Sequence, residues 1–123
     1  MTRIALRELC GYRAGDKGDT ADVALFAYDD DVYALIVREV TAARVREHFG
    51  ALVLGDVERY DAANVRALNF VLRGVLGAGG GASSLRTDAQ AKAYGEALLR
   101  VEVSIPVTLL AATVRTTNEA RYP

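Results

Sequence analysis

The chain is poor in the residues that build disulfides and metal centres. Its 123 residues include one cysteine, Cys10, one histidine, His48, and no tryptophan. A single cysteine cannot form an intrachain disulfide, and structural zinc sites combine several sulfur and nitrogen ligands. These absences argue against a disulfide scaffold and a metal site, and they make the cytoplasm the expected location.

Long apolar runs and an excess of charge of either sign are also missing. No run reaches the roughly 18 to 20 apolar residues of a membrane helix, and residues 1–4, Met-Thr-Arg-Ile, lack the apolar core of a signal peptide. Lysine and arginine total 15 against 16 aspartate and glutamate residues, for a net charge of −1. Nucleic-acid-binding domains more often carry a basic face, so we expect neither membrane insertion nor nucleic-acid binding.

Alternating apolar residues predict the strands. In residues 20–28 the apolar set includes Val23 and Leu25, and in residues 67–73 Leu68 and Phe70 alternate with Asn69. Similar patterns predict strands over residues 3–10, 57–60 and 99–105. Residues 11–19, which contain three glycines, are interpreted as a shaped loop.

Polar residues mark the helix starts. Three aspartates at 29–31 favour a helix N-terminus, where negative charge opposes the helix dipole. Thr41 is predicted to cap a second helical piece, and Thr87 or Asp88 a later helix. Gly95 inside that helix costs about 1 kcal/mol relative to alanine, so we expect it to mark close packing against a neighbour.

The order of these elements predicts an α+β fold. From Thr20 onward it is βαββαβ, the ferredoxin-like pattern, with an extra N-terminal strand. Such a domain packs two helices on one face of an antiparallel sheet and leaves the other face open to a partner or a second copy. We expect residues 1–106 to form the domain. Residues 107–123 form a C-terminal extension that we expect to dock on this domain or on a second subunit, so self-association is expected.

Three stretches resemble the C-terminal ferredoxin-fold domain of the acyclic terpene utilization (AtuA) family. Residues 13–22, Arg-Ala-Gly-Asp-Lys-Gly-Asp-Thr-Ala-Asp, are close to the family pattern Arg-Ser-Gly-Asp-Lys-Gly-Asp-Thr-Ala-Asn. The other two stretches lie within residues 40–60 and 67–90. Asp22 departs from the family's usual asparagine and adds a negative charge.

The resemblance implies a role beside a larger protein. Longer family members carry a much larger domain ahead of this one, and the family is linked to bacterial breakdown of citronellol-type terpenes and related branched acyl-CoA compounds. The resemblance therefore implies an accessory subunit of a separately encoded large AtuA-like protein. The alternative is an independent enzyme or binding protein for a carboxylate or an acyl-CoA. The sequence identifies no cofactor.

A glycine cluster ahead of the last helix is one candidate site. Backbone N–H groups at a helix start favour anions, and glycines permit close approach. The stretch lacks the Gly-Lys-Ser/Thr of a P-loop, and the alternative is a plain connection. The candidate residues here are Gly79, Gly80, Gly81, Ser83, Ser84 and Arg86.

The glycine-rich stretch after residue 12 is the other candidate. Lys17 between carboxylates could hold a phosphate or carboxylate, and Asp16 or Asp19 could act as a base if burial raised its pKa. The alternative is that these groups cap one another. The candidates here are Arg13, Asp16, Lys17, Gly18, Asp19 and Thr20, with Asn69 orienting either stretch; the catalytic candidates are Asp16, Lys17 and Asp19. His48 is interpreted as a surface or packing residue and Cys10 as a small buried one.

Overall fold

The structure, a computed structural model, describes residues 2–50, 55–74 and 84–109, with the backbone alone for residues 84–89. The strands are β1 (Thr2–Ala5), β2 (Cys10–Lys17), β3 (Thr20–Ala27), β4 (Val57–Ala62), β5 (Ala67–Leu72) and β6 (Glu102–Ile105). The helices are α1 (Asp30–Glu39), α2 (Ala42–Phe49) and α3 (Ser84–Leu98), and short 3-10 turns occupy Leu6–Glu8 and Ala63–Val65.

Four antiparallel strands form the main sheet in the order β2-β3-β5-β4. The helices pack on one face, where Val23 of β3 lies opposite Phe70 of β5 and both are fully buried. The remaining large buried side chains include Leu6, Leu9, Leu25, Ile36, Leu68, Leu72, Leu98 and Ile105. Because one face is buried and the other is not, strand alternation fixes which side chains face the core. The predicted α+β, ferredoxin-like class with an extra strand is confirmed.

The loop predicted at residues 11–19 is wrong, because most of it is strand β2. β2 and β3 form a hairpin whose two-residue turn is Gly18-Asp19, with φ of +64° at Gly18. A positive φ at the first turn residue suits the right-handed twist of the flanking strands. In the sequence, the glycines of β2 hide its alternation of apolar and polar residues. In the structure, Cys10 and Tyr12 lie on the helix-covered face, as the apolar residues of an amphipathic strand do.

The last strand is placed differently from a simple βαββαβ sheet. β6 pairs with β1 in a separate two-stranded sheet, in the register Ile4 opposite Val103. The position beside β3 is taken by β2 instead. The N-terminal strand is shorter than the predicted range 3–10, because β1 ends at Ala5 and a 3-10 turn follows.

Side-chain caps start the first two helices as predicted. Asp29 accepts a hydrogen bond from the backbone N–H of Val32 at 2.8 Å, and Thr41 accepts one from Arg44 at 3.1 Å. The prediction for the third helix is wrong. α3 already begins at Ser84, so residues 87 and 88 lie within it rather than ahead of it.

Gly95 confirms the expected close packing of α3. A Cβ on Gly95 would lie 2.2 Å from Cε2 of Tyr12, so the helix backbone rests directly on that ring. The Tyr12 hydroxyl donates to Oε1 of Glu96 at 2.8 Å. Since the N–H of Arg7 also donates to the carbonyl of Leu99, α3 runs antiparallel to β2.

Candidate functional site

One face of the main sheet is covered by none of the described helices, and we call it the open face. It consists of alternate residues of the four strands, because successive side chains in a strand point to opposite faces. These residues are Gly11, Arg13, Gly15 and Lys17 of β2; Thr20, Asp22, Ala24 and Phe26 of β3; Ala67, Asn69 and Val71 of β5; and Glu58, Tyr60 and Ala62 of β4. Four of the sequence-predicted site residues, Arg13, Lys17, Thr20 and Asn69, therefore share one face.

A row of side chains crosses the middle of the open face. Strand register places Arg13 beside Ala24, Ala24 beside Asn69, and Asn69 beside Tyr60. Directly opposed side chains have Cβ atoms about 4.5–5.5 Å apart. Asn69 is half-buried, and no hydrogen bond joins its side chain to another described residue. Its amide is thus available at the centre of the sheet.

A hydrogen-bonded trio that the sequence did not single out lies beside this row. Nε of Arg73 donates to Oε1 of Glu58 at 2.8 Å, and the Tyr60 hydroxyl donates to the other oxygen of that carboxylate. The bond from Arg73 lowers the pKa of Glu58, and the bond to Glu58 raises the pKa of Tyr60. Residues 58 and 60 could have been found from alternation in the strand predicted at 57–60, once its pairing with Asn69 was known.

The hairpin turn divides the first candidate stretch. Lys17 and Thr20 are directly opposed on the open face, whereas Asp16 lies on the helix-covered face. Thr20 donates from its hydroxyl to Oδ1 of Asp19 at 3.2 Å, a local bond of the capping kind. Gly18 supplies the turn conformation. Asp16 and Lys17 therefore project from opposite faces of the sheet, and the candidate side chains of this stretch do not converge on one point.

The start of α3 lies at the hairpin end of the molecule. Because α3 runs antiparallel to β2 and Tyr12 contacts Glu96, moving along α3 toward Ser84 leads toward the turn at Gly18. The distances match, since about ten helical residues and five strand residues each span roughly 15 Å. The structure thus brings the backbone of the second candidate stretch near the first. Gly79, Gly80, Gly81 and Ser83 lie outside the described residues, as do the side chains of Ser84 and Arg86.

Cys10 and His48 occupy the places that the sequence indicated. Burial raises the pKa of the Cys10 thiol to about 12, so the nucleophilic thiolate is disfavoured. Nε2 of His48 lies 2.9 Å from the carbonyl oxygen of Ala97, and its ring packs edge-on against Phe49. Neither side chain belongs to the open face.

Two clefts lie away from the predicted site residues. One, of about 390 Å³, is lined by Arg3, Arg44, Glu47, His48, Arg100, Val101 and Glu102. Its arginines are largely engaged, since Arg44 donates to backbone carbonyls and Arg3 pairs with Glu102 at 3.5 Å. The other, of about 280 Å³, is an apolar groove between α2 and α3 at Phe49 and Tyr94.

Comparison with protein families identifies the fold's relatives. Residues 4–104 match the family described as the AtuA ferredoxin-like domain. The chain belongs to this family. The match spans β2 to β5 and α3, so the open face and the hairpin both belong to the AtuA ferredoxin-like domain. No curated protein and no solved structure matches the chain.

Among the helices of the described ranges, none has the length and apolar character needed to cross a membrane.

Proposed function

We propose that this AtuA ferredoxin-like domain is an accessory subunit of a larger AtuA-like enzyme, which it binds through the open face. The enzyme would act in the cytoplasm, in acyclic terpene or branched acyl-CoA catabolism. One observation carries the proposal: three helices pack on one face of the main sheet, and the opposite face has no described element over it.

The composition of the open face supports a protein partner. Phe26 and Val71 are only half-buried near its centre, and Tyr60 is 54% exposed at its β4 side. Partly exposed apolar and aromatic side chains inside a polar rim are typical of interfaces. The bond from Tyr60 to Glu58 also fixes the ring, so less side-chain entropy is lost when a partner covers it.

The polar groups of the open face would complete a site shared with the partner. Lys17 and Thr20 at the hairpin and the Asn69 amide at the centre all point away from the helices. A cation and two hydrogen-bonding groups suit a substrate carboxylate or phosphate. Of the three catalytic candidates Lys17 is the best placed for this face. Docking of residues 107–123 on the partner is part of the same proposal.

A second candidate function is independent binding of a carboxylate or an acyl-CoA. It is favoured by Lys17, whose ammonium group makes no ion pair with another described residue. Calorimetry of the purified chain with free CoA, acyl-CoA compounds and simple carboxylates tests this function directly. Binding by the chain alone that is lost in Lys17→Ala and kept in Lys92→Ala, an exposed lysine on α3, would support it.

Affinity purification from the native host tests the accessory role. The tagged chain should recover a large AtuA-like protein in stoichiometric amount. Val71→Asp places a charge in the open face and should abolish recovery, whereas Val65→Asp, at an exposed valine of the 3-10 turn, should not. Val107→Asp, at an exposed valine of the C-terminal extension, should reduce recovery only if the extension also docks on the partner.

Recovery of the chain without any large AtuA-like protein counts against the accessory role. Equal loss of the partner from the Val65 and Val71 variants would instead show that the open face is not the binding surface. Circular dichroism of each variant distinguishes lost binding from lost folding.

A further inference from the structure

Strand β2 forms one edge of the main sheet, and its outer side carries backbone groups that another strand could pair with. In a two-residue hairpin the residues flanking the turn form a hydrogen-bonded pair. Lys17 and Thr20 are that pair, so every second residue of β2, Ala14 among them, directs its N–H and C=O away from β3. Within the described residues, no backbone bond engages these groups of Ala14. The strand is eight residues long and has no proline and no bulge, which makes it a template for strand addition.

Glycines alternate with cations along the open side of this edge. On the open face of β2 the successive residues are Gly11, Arg13, Gly15 and Lys17. Each basic side chain therefore has a gap beside it where a glycine lacks a side chain. One side chain from β3 and one from the residue directly after it lean into these gaps. Oδ1 of Asp22 lies 2.7 Å from the place of a Cβ on Gly15, and the Tyr28 hydroxyl lies 3.0 Å from the place of one on Gly11.

The charges on the open-face side of this edge are not balanced within the described residues. Among the described residues, neither Arg13, Lys17 nor Asp22 makes an ion pair. Five other arginines do pair, at distances of 2.7 to 3.8 Å: Arg3, Arg38, Arg59, Arg66 and Arg73. On its open-face side β2 therefore presents Arg13 and Lys17 to whatever lies beside it, with the Asp22 carboxylate behind them on β3.

We propose that the occupant is a second copy of this chain, added antiparallel along β2 about a two-fold axis at Ala14. In this register Ala14 faces its own copy and exchanges two backbone hydrogen bonds with it. Arg13 of each copy lies opposite Gly15 of the other, and Lys17 lies opposite Gly11. A two-fold axis at residue 13 would oppose two Arg13 side chains, and one at residue 15 would oppose Arg13 to Lys17, both of which are repulsive.

This register also supplies the missing charge partners. Strands lie about 4.8 Å apart, so Arg13 of the second copy is about 10 Å, Cα to Cα, from Asp22 across the bare backbone of Gly15. The two side chains together span that distance. In the same way Lys17 of the second copy reaches the ring and hydroxyl of Tyr28 across Gly11. Each contact occurs twice, because the interface is isologous.

The dimer is independent of the proposed accessory role. Edge pairing makes one eight-stranded sheet and engages the open face only along β2, so its centre at Phe26, Asn69 and Val71 stays uncovered in both copies. A failure of partner recovery therefore leaves this inference standing, and a monomeric chain leaves the accessory role standing.

Analytical ultracentrifugation of the full chain and two charge reversals tests the proposal. The unmodified chain should sediment as a dimer. Arg13→Glu and Asp22→Arg should each weaken self-association at least about tenfold, since every reversal acts twice across the axis. An equimolar mixture of the two variants should dimerise again, because the mixed pair joins Glu to Arg at one contact and Arg to Asp at the other. Arg38→Glu, with the same charge change on α1, should not differ from the unmodified chain.

A cross-link tests the register. Residues opposed in a hydrogen-bonded antiparallel pair have Cα atoms about 5.5 Å apart, within disulfide range. Ala14→Cys should thus yield a covalent dimer on mild oxidation, while the unmodified chain, whose Cys10 is buried, should not.

Three results would overturn the proposal. They are a monomeric unmodified chain at every concentration, unaltered dimerisation of both charge-reversal variants, or a mixture of those variants that stays monomeric. Failure of the Ala14→Cys chain to cross-link while the mixture dimerises would overturn the register centred on residue 14.

Discussion

At the scale of single residues, the contact between Gly95 and Tyr12 shows how the absence of a side chain can be required. Alanine is intrinsically better than glycine in a helix by about 1 kcal/mol. At position 95, however, its methyl group would overlap the Tyr12 ring. Overpacking in a well-packed core costs about 1–3 kcal/mol, so steric conflict and helix propensity oppose each other here.

We predict that Gly95→Ala lowers the free energy of unfolding by about 1–3 kcal/mol. Urea denaturation followed by circular dichroism measures this change. In a Tyr12→Ala background the same substitution should be neutral or stabilising, because the ring is gone. An equal loss in both backgrounds would contradict the assignment of the cost to the ring.

Cys10 makes a second residue-scale prediction, which concerns pH. Burial, and then the charge of Asp29, raises the pKa of its thiol from 9.0 to about 12. The unfolded chain therefore releases this proton first, so the stabilising contribution is complete below about pH 9 and is lost as the pH rises toward 12. Burial also raises the pKa of Tyr94.

Comparison with Cys10→Ala separates the thiol from the tyrosines. The fall in unfolding free energy between about pH 8 and about pH 11 should be smaller in Cys10→Ala than in the unmodified chain. Equal falls, measured by urea denaturation at both values, would exclude Cys10 as a contributor.

At the scale of elements, Arg59 joins strand β4 to the end of helix α1. One guanidinium nitrogen donates to the carbonyls of Val37 and Val40 at 2.8 and 3.0 Å. Nε pairs with Asp61 at 2.9 Å. The last carbonyls of a helix have no partner within it, so this side chain completes the C-terminal turn of α1 from the sheet.

Arg59→Lys should lower the unfolding free energy by about 1–3 kcal/mol, because an ammonium group cannot reproduce the planar fork. Arg38→Lys, on the exposed side of α1, is the matched control and should change little, since its pair with Glu39 is long, at 3.8 Å, and solvent-exposed. Equal losses in thermal denaturation would show that Arg59 contributes charge alone.

Elements with a clear period were predictable, and those whose period glycine interrupts were not. β3 and β5 were identified because Val23 and Phe70 belong to unbroken alternations that end in one buried face. β2 was missed because Gly11 and Gly15 stand where alternation needs a side chain. The pair Gly18-Asp19 is a two-residue hairpin signal that the sequence did carry.

At the scale of the whole molecule, the candidate site depended on information that no single stretch contains. Arg13, Lys17 and Asn69 were predictable as polar candidates, but their shared face follows from the pairing of β2 with β3 and of β3 with β5. That pairing is nonlocal. Likewise, the sequence could not show that β6 leaves the main sheet to join β1, because that pairing is also nonlocal.

Self-association makes a prediction about the stability of the whole molecule. A dimer that dissociates on unfolding is stabilised by mass action, so the melting temperature should rise with chain concentration. The rise should be reduced in Arg13→Glu and unchanged in Arg38→Glu. Calorimetric scans over a hundredfold range of about 1–100 μM measure it, and a rise of the same size in Arg13→Glu would contradict the edge-paired dimer.

The small sheet of β1 and β6 has a consequence for synthesis. Residues 2–5 leave the ribosome well before their partners at 102–105, with the other described strands and helices between them. A growing chain therefore cannot seat Ile4 against Val103 until nearly the whole domain has emerged, and this long closure is entropically the most demanding in the described sheets. Until then β1 has no partner strand. A bulky fusion placed directly ahead of β1 is accordingly the modification to which maturation of the chain should be most sensitive.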